Sequence, residues 1–511
     1  MMKWSKSLLA VLLVLLMAAC SGNNLEKMIP ADATGVVAFD VPKILEETGL
    51  VDDGKIVLPE TVRQAVDDND TSPLCILLND LPQMGIDADS KAYAFFSSKS
   101  FSRVLLANLD DAGKARKTLE LRVGGDFDKV EGIDCMYVRD KLYAIDGDVL
   151  LVGTVSKPMD VNRAAKAAKG ILSKTATNIT DNKDVIKLLR NSDYDINMWL
   201  QGKSLKTILN KSDVYRELSQ RFPLVEIFTE SDIYAVTCNV DLDEKEVKME
   251  TRILAKEDSE YARLLTSTIA KPTGDVLKAI PNSMDYIFSM SIKGENFVQL
   301  EQIKQVLQMF GNLPYIGRID LAKILTTIDG PFSIGLARDP HLEGEWNMVL
   351  AARSTDPDAV VRQISTFANS MGQAPELYEG EYIYQYDNKM IRVGITDGIL
   401  YVKVLDYEQT EGYAYEMQPV REFFDGALLG FFAQTRSDSV CGYLDFGLQD
   451  IFNGKGRFYT NQPTANASQE FLRALCGIKV HDTFGNEETD EDGGDIAALL
   501  TGSSGNLHPV N

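Results

Sequence analysis

An internal duplication is the strongest constraint on the fold of this chain, because a repeat of this length requires two domains of one architecture. Five pairs of short segments recur in the same order, at spacings between 243 and 251 residues. The pairs are Ile29–Thr34 with Ile280–Asp285, Val104–Asn108 with Val349–Arg353, Glu131–Gly132 with Glu379–Gly380, Asp146–Gly147 with Asp397–Gly398, and Leu205–Asn210 with Leu448–Asn453. The period is too long for a solenoid. We expect two homologous domains, residues 29–279 and 280–480.

Each copy mixes strand and helix patterns. Short apolar or β-branched runs between turns predict strands at Val36–Val41, Lys91–Ser97, Arg103–Leu109, Cys135–Arg139 and Leu142–Ile145. Helical patterns lie between them at Asp111–Leu121, Val161–Ser173 and Asn182–Arg190. Short polar turns between successive strands indicate antiparallel pairing. The expected fold class is therefore α+β, with a mainly antiparallel sheet in each domain and helices packed on one of its faces.

The N-terminus has the features of a lipoprotein signal peptide, residues 1–19. Lys3 and Lys6 precede ten apolar residues, Leu8–Met17, which would span only about 15 Å as a helix and are too short to cross a bilayer. The run ends in Leu16–Cys20, which resembles the lipobox of bacterial lipoproteins. An ordinary secretory signal with a coincidental cysteine is the alternative. We expect Cys20 to be the lipidated residue, and residues 20–28 to form a tether.

The lipobox resemblance implies a location. In such lipoproteins the cysteine is diacylated, becomes the new N-terminus and is acylated again, so palmitate-type chains attach the protein to the membrane. Ser21 after the cysteine implies the outer membrane, and the lack of an acidic cluster in Gly22–Lys27 favours its periplasmic face over the cell surface. The net charge of −23 at pH 7 argues against a nucleic-acid partner. It also predicts that the body stands off anionic lipid.

The sequence offers little catalytic or metal-binding chemistry. It contains no GxSxG, HExxH or P-loop motif, and we expect no cofactor. His341 lies in a predicted turn, where a histidine is usually solvated. Five cysteines remain besides Cys20, without a CxxC pair, which favours buried apolar thiols over a zinc site or a disulfide framework. Residues 481–511, with six acids in Glu487–Asp495, are expected to form a disordered tail.

A tyrosine strand is the most prominent candidate for ligand contact. Tyr382, Tyr384 and Tyr386 alternate along one strand and therefore share a face. The duplication places Asp134, Met136 and Val138 at the equivalent positions, which predicts that this face is mainly core. Tyr382, opposite Asp134, is the one expected to face outward, and we take it as the candidate ligand-binding residue.

The lipobox, the Ile29–Ala33 opening and a length near 500 residues together resemble a family of lipoproteins from Gram-negative gut anaerobes with no assigned activity. The resemblance implies a location and a domain plan, but no catalytic residues. Two functional hypotheses remain open. The first is a non-enzymatic envelope module that binds another envelope protein or a glycan, and the second is a carboxylate-dependent hydrolase with a site assembled from distant residues.

Overall fold

The computed structural model describes residues 25–52, 55–57, 80, 82–97, 99–173, 177–204, 233–255, 267–270, 275–281, 284–311, 320–338, 346–370, 372–386, 389–406, 429–434, 438–445, 452–460 and 466–471. The predicted signal peptide, Cys20, His341 and the acidic tail lie outside the described residues. Among those described, no helix is both long and apolar enough to cross a membrane.

The strands before residue 300 are β1 Gly35–Asp40, β2 Val51–Asp52, β3 Lys55–Ile56, β4 Lys91–Phe96, β5 Phe101–Asn108, β6 Asp128–Val130, β7 Ile133–Val138, β8 Lys141–Asp146, β9 Val149–Val155, β10 Ile196–Gln201, β11 Ile233–Asp241, β12 Glu246–Ala255 and β13 Tyr286–Lys293. Those after it are β14 Ile328–Arg338, β15 Trp346–Ser354, β16 Glu376–Tyr378, β17 Glu381–Tyr386, β18 Lys389–Thr396, β19 Ile399–Asp406, β20 Leu429–Gln434, β21 Asp438–Asp445 and β22 Phe452–Thr460.

The α-helices are α1 Val41–Glu47, α2 Ala112–Leu119, α3 Val161–Leu172, α4 Lys183–Leu189, α5 Gly294–Phe297, α6 Glu301–Gly311, α7 Leu321–Thr326 and α8 Pro357–Ser370. Short 3-10 helices cover Leu25–Met28, Ile179–Asp181 and Asp275–Ala279, and a π-helical turn, Glu120–Gly124, follows α2. Helix α4 begins with Asn182 as its N-cap: the Asn182 side chain accepts a hydrogen bond from the Val185 N–H at 3.3 Å.

The chain divides into two compact units. The first comprises Met1–Gln201, Thr237–Val247 and Ala465–Phe484, and the second comprises Gly202–Val236, Lys248–Thr464 and Gly485–Asn511. The α+β class is confirmed, and strands in both units pair antiparallel.

The two units repeat one strand order. In the first, the described pairings run β10-β1-β4-β5-β9-β8-β7-β6. In the second they run β20-β13-β14-β15-β19-β18-β17-β16, with β21 and β22 continuing beyond β20. The duplicated opening segments are also equivalent, because Ile29 and Ile280 each follow a 3-10 helix and are each at most 1% exposed.

The strand order corrects one of the five sequence correspondences. The turn between β8 and β9 is Gly147-Asp148 and that between β18 and β19 is Asp397-Gly398, so the earlier pairing of these turns is out by one residue. The correspondence between Leu205–Asn210 and Leu448–Asn453 falls almost entirely outside the described residues.

Helices pack on both faces of the first sheet, which differs from the expected single covered face. One face carries Leu142, Ala144 and Leu151 in a core with α3 and α4. The opposite face carries Tyr143 and Leu150 in a core with α2. Successive side chains of β8 and β9 point to opposite faces, and most of them are apolar, so the two strands contribute to both cores. The second sheet likewise has cores on two faces, one with Asp275–Ala279 and one with α7 and α8.

Residues 25–28, expected to be tether, belong to the folded body. Leu25 and Met28 are 2% and 3% exposed and join the first core. Glu26 is also buried. Its carboxylate accepts hydrogen bonds from Arg190 and from the Tyr93 hydroxyl, the latter at 2.9 Å. The predicted tether therefore extends no further than Asn24.

Candidate functional site: the β16–β17 hairpin

The hairpin of β16 and β17 lies at one end of the second sheet. Its turn consists of Glu379 and Gly380, with φ angles of 51° and 85°. Two successive positive φ values in a two-residue loop define a type I′ turn, whose twist matches that of the strands it joins. Glu131 and Gly132 form the same turn in the first unit, with φ angles of 53° and 83°. The hairpins of the two units are therefore structural equivalents.

Strand β16 exposes apolar side chains at the sheet edge. Among the described strands it pairs with β17 alone, and Leu377 and Tyr378 are 68% and 61% exposed. An exposed apolar edge strand is a template for pairing with another chain, and proteins usually protect such edges. Within the part of the second unit that the structure describes, no strand covers this edge.

The equivalent edge of the first unit is protected. When the two turns are aligned, Lys129 is equivalent to Leu377 and Val130 is equivalent to Tyr378. Lys129 is an exposed charge, and Val130 packs against the core that includes α3. The Lys169 ammonium on α3 also donates a hydrogen bond to the Glu131 carbonyl. The two copies thus differ at this edge.

One face of the hairpin packs on the core beside α8. Tyr384 is 3% exposed and shares a 2.7 Å hydrogen bond with Ser365 of α8. Tyr382 is half-buried against the same core. Its expected outward orientation is therefore wrong: it lies on the core side with Tyr384, because the two alternate onto one face. Leu377 lies directly opposite Tyr382 across the strands. The Tyr386 side chain is outside the described part of the structure.

The other face carries a polar network, which we call the Glu381 cluster: Glu381, Arg392, Tyr401 and Lys403. The Tyr401 hydroxyl donates a 2.6 Å hydrogen bond to Glu381 Oε1. Arg392 Nη1 lies 3.5 Å from Glu381 Oε2, and Lys403 Nζ lies 3.9 Å from Oε1. Lys403 Nζ is also 4.5 Å from the centre of the Tyr401 ring, a cation–π distance. Glu376 is exposed on the same face, because it pairs with Ile383, so two carboxylates face two cations there.

Burial and strand packing fix the Glu381 cluster. Burial raises the pKa of Tyr401, and the hydrogen bond to Glu381 raises it further, because both disfavour the phenolate. Gly394 pairs with Tyr401 on the neighbouring strand, and a Cβ there would collide with the tyrosine ring. The side chains of Arg392 and Lys403 remain 37% and 27% exposed. Both cations are paired with Glu381, which lies opposite Tyr378.

The corresponding face of the first unit is apolar. Ile133, Ala144 and Leu151 lie there on β7, β8 and β9, each at most 2% exposed, in the core with α3. The sequence carried a signal for this difference, since Glu381, Arg392 and Lys403 alternate with apolar residues on three consecutive strands. Neither the composition nor a short motif indicates this cluster, because each of the three strands contributes only one or two of its residues.

Carboxylates with raised pKa values also occur in the first unit. Asp195 is 2% exposed, and burial is the main cause that raises its pKa. Its Oδ2 accepts the Leu242 N–H at 2.6 Å, and Lys43 Nζ lies 3.9 Å from Oδ1. Burial and then the charge of Asp195 raise the pKa of Glu47. Because Asp195 is enclosed and bonded to backbone, we interpret it as a structural group that fixes the start of β10.

Metal and thiol chemistry receives no support within the described residues. No group of three or more His, Cys, Asp and Glu side chains there is arranged to hold a metal ion. Cys135 is a buried thiol whose pKa burial raises, so it is a poor nucleophile.

No family model matches this chain. No curated protein matches it either. Among solved structures, crystal form I of TP0453 is similar at a TM-score of 0.31 and 10% identity, over 49% of this chain and 88% of that one. Crystal form III of TP0453 gives 0.31 and 12%, over 47% and 84%. A DnaN sliding clamp from Pseudomonas aeruginosa bound to griselimycin gives only 0.10 at 12% identity, over 83% and 99%. These likenesses are too distant to inform function.

Proposed function

We propose that this protein is an envelope-anchored lipoprotein of the kind that its N-terminus resembles, and that it binds a partner through the β16–β17 hairpin. The lipid on Cys20 would hold it at the outer membrane, on the periplasmic face. The role is non-enzymatic: a duplicated α+β body in which the second unit carries the binding surface.

The observation that supports this proposal is the difference between two otherwise equivalent hairpins. In the first unit the edge carries Lys129, and its inner face packs under α3. In the second unit the edge exposes Leu377 and Tyr378, beside the Glu381 cluster. Contiguous exposed apolar residues with a polar rim are typical of interaction sites.

The folded body begins close to Cys20 in the sequence. Leu25 is already buried, so only five peptide links separate Cys20 from the folded body, at most roughly 18 Å when extended. A lipidated Cys20 would therefore hold the first unit close to the bilayer surface. This replaces the expectation of a body that stands well off the membrane on a longer tether.

Among the described residues, Glu47 and Asp195 are the carboxylates whose pKa values are raised, and the hydrolase alternative would rest on them. An acid catalyst must reach its substrate, and Asp195 is enclosed by its own chain. We therefore keep the binding function as the conclusion.

The test is affinity purification of the tagged protein after crosslinking in intact cells. The Cys20→Ala variant tests the anchor. A Leu377→Glu/Tyr378→Glu variant tests the hairpin, with Lys129→Glu in the first unit as the matched surface control. We expect a saturable partner that is lost with the double variant and retained with Lys129→Glu. A partner that survives the double variant would refute the hairpin as the site.

A further inference from the structure

We propose that β16 binds an extended polypeptide segment of the partner by adding it as a further strand to the second sheet, and that this segment carries basic residues beside its apolar ones. The inference rests on the proposed function and names the partner's chemistry. Strand addition obtains affinity from backbone hydrogen bonds and selectivity from alternate side chains.

The backbone of β16 is suited to accept a strand. A two-residue type I′ turn is closed by a hydrogen-bonded pair, here Tyr378 with Glu381. Hydrogen-bonded and non-hydrogen-bonded pairs alternate in an antiparallel ladder, so Leu377 and Tyr382 form the next, non-hydrogen-bonded pair. The N–H and C=O of Leu377 therefore point away from β17, towards the open edge.

The side chains beside this edge can grip alternate residues of an added strand. Leu377 and Tyr382 stand together on the α8 face, and Tyr378 stands on the face of the Glu381 cluster. A strand added beside Leu377 would place successive side chains on these two faces in turn. The half-buried Tyr382 is the cross-strand neighbour of Leu377 on this surface.

Charge selects the occupant. Glu376 and Glu379 are exposed on either side of Leu377 and Tyr378. Two copies of this three-residue strand would bring four such carboxylates together, in a chain of net charge −23. A segment with Lys or Arg flanking its apolar residues would instead meet complementary charge. We therefore commit to a basic-flanked extended segment and not to a second copy of this chain.

The test uses the full chain and a fluorescent octapeptide of alternating valine and threonine with two lysines at each end. Binding is followed by fluorescence anisotropy. Leu377→Pro removes the outward N–H and the side chain, whereas Leu377→Ala removes only the side chain. Proline is tolerated on an edge strand where its N–H would face outward. Lys129→Pro on β6 is the matched control, and circular dichroism checks that each variant is folded.

We expect saturable binding of the basic peptide, and weak or no binding of a counterpart with glutamate in place of lysine. Leu377→Pro should weaken binding at least about tenfold, Leu377→Ala by less, and Lys129→Pro not at all. Equal binding by wild type and folded Leu377→Pro would overturn strand addition. Concentration-dependent dimerisation lost in Leu377→Pro would make the occupant a second copy, which also overturns the inference.

The two proposals fail separately. If the peptide does not bind but the crosslinked partner still depends on Leu377 and Tyr378, the hairpin remains the site and strand addition is refuted. If the partner is independent of both residues, the proposed function fails at this site.

Discussion

The Tyr401 hydroxyl donates its hydrogen bond to Glu381 at 2.6 Å, across two strands of the second sheet. The same carboxylate faces Arg392 and Lys403, so one acid connects three partners on β18 and β19. The corresponding positions of the first sheet are apolar and covered by α3. The Tyr401–Glu381 hydrogen bond therefore lies where the two equivalent sheets differ, polar in the second unit and apolar in the first.

Removing this hydroxyl should loosen the cluster. We expect Tyr401→Phe to lower the free energy of unfolding by about 1 kcal/mol, because Glu381 loses a short hydrogen bond but keeps both cations. Urea unfolding followed by circular dichroism measures the change. Tyr378→Phe, which alters an exposed tyrosine opposite Glu381 on β16, is the control. An unchanged stability in Tyr401→Phe would mean that the bond contributes nothing in solution.

The two hairpin turns offer a stabilising substitution. Glu131 and Glu379 hold left-handed backbone conformations, which cost an ordinary residue about 1 kcal/mol and suit asparagine. We expect Glu131→Asn and Glu379→Asn each to raise the free energy of unfolding by about 0.5 to 1 kcal/mol. Alanine at the same positions should give no such gain. Thermal unfolding of the four variants measures these changes in stability. Equal changes for asparagine and alanine would refute the turn assignment.

The N-terminal 3-10 helix should depend on Glu26. Its buried carboxylate holds Leu25–Met28 against Arg190 and Tyr93. We expect Glu26→Gln to lower the free energy of unfolding by about 2 kcal/mol, since a charge-assisted pair becomes a neutral contact. Amide hydrogen exchange at residues 25–29 should accelerate more than exchange in β13. Unchanged exchange there would show that the segment is held by its apolar residues alone.

Stability should depend on pH through Asp195. Burial raises its pKa above the ordinary 3.8, so the folded protein holds this proton more tightly than the unfolded chain does. The group therefore contributes stability below pH 3.8, and this contribution is lost as pH rises through the folded value. Asparagine has no proton to lose and keeps an oxygen for the Leu242 N–H. We expect Asp195→Asn to gain stability relative to wild type between pH 4 and pH 7. A lower stability of Asp195→Asn than of wild type over that pH range would contradict a raised pKa of Asp195.

The sequence predicted the duplication and most strands and helices of the first unit, because alternation and turn residues are local signals. It missed two features that depend on packing. Leu25–Met28 was expected to be tether because a four-residue turn has no periodicity, although it buries two apolar side chains. Helices on both sheet faces follow from β8 and β9, whose continuous apolar runs carry no polar face.

The site was only partly foreseeable. Alternation correctly grouped Tyr382 with Tyr384, but it could not show how deeply Tyr382 is buried. The exposed edge was visible in principle, since the Glu131 and Glu379 turns align Lys129-Val130 with Leu377-Tyr378. The structure was needed to recognise it as an open edge, because none of the described strands pairs with β16 on the side away from β17. The Glu381 cluster joins three strands through contacts that no sequence spacing reveals.

The most direct test of the central claim is site-specific photocrosslinking in intact cells. A photoreactive amino acid replaces Leu377 in one strain and its equivalent, Lys129, in another, so that the two probes differ only in which hairpin they occupy. The account predicts a discrete adduct from position 377 that is absent from position 129. Identical adducts from both positions, or an adduct from position 129 alone, would contradict it.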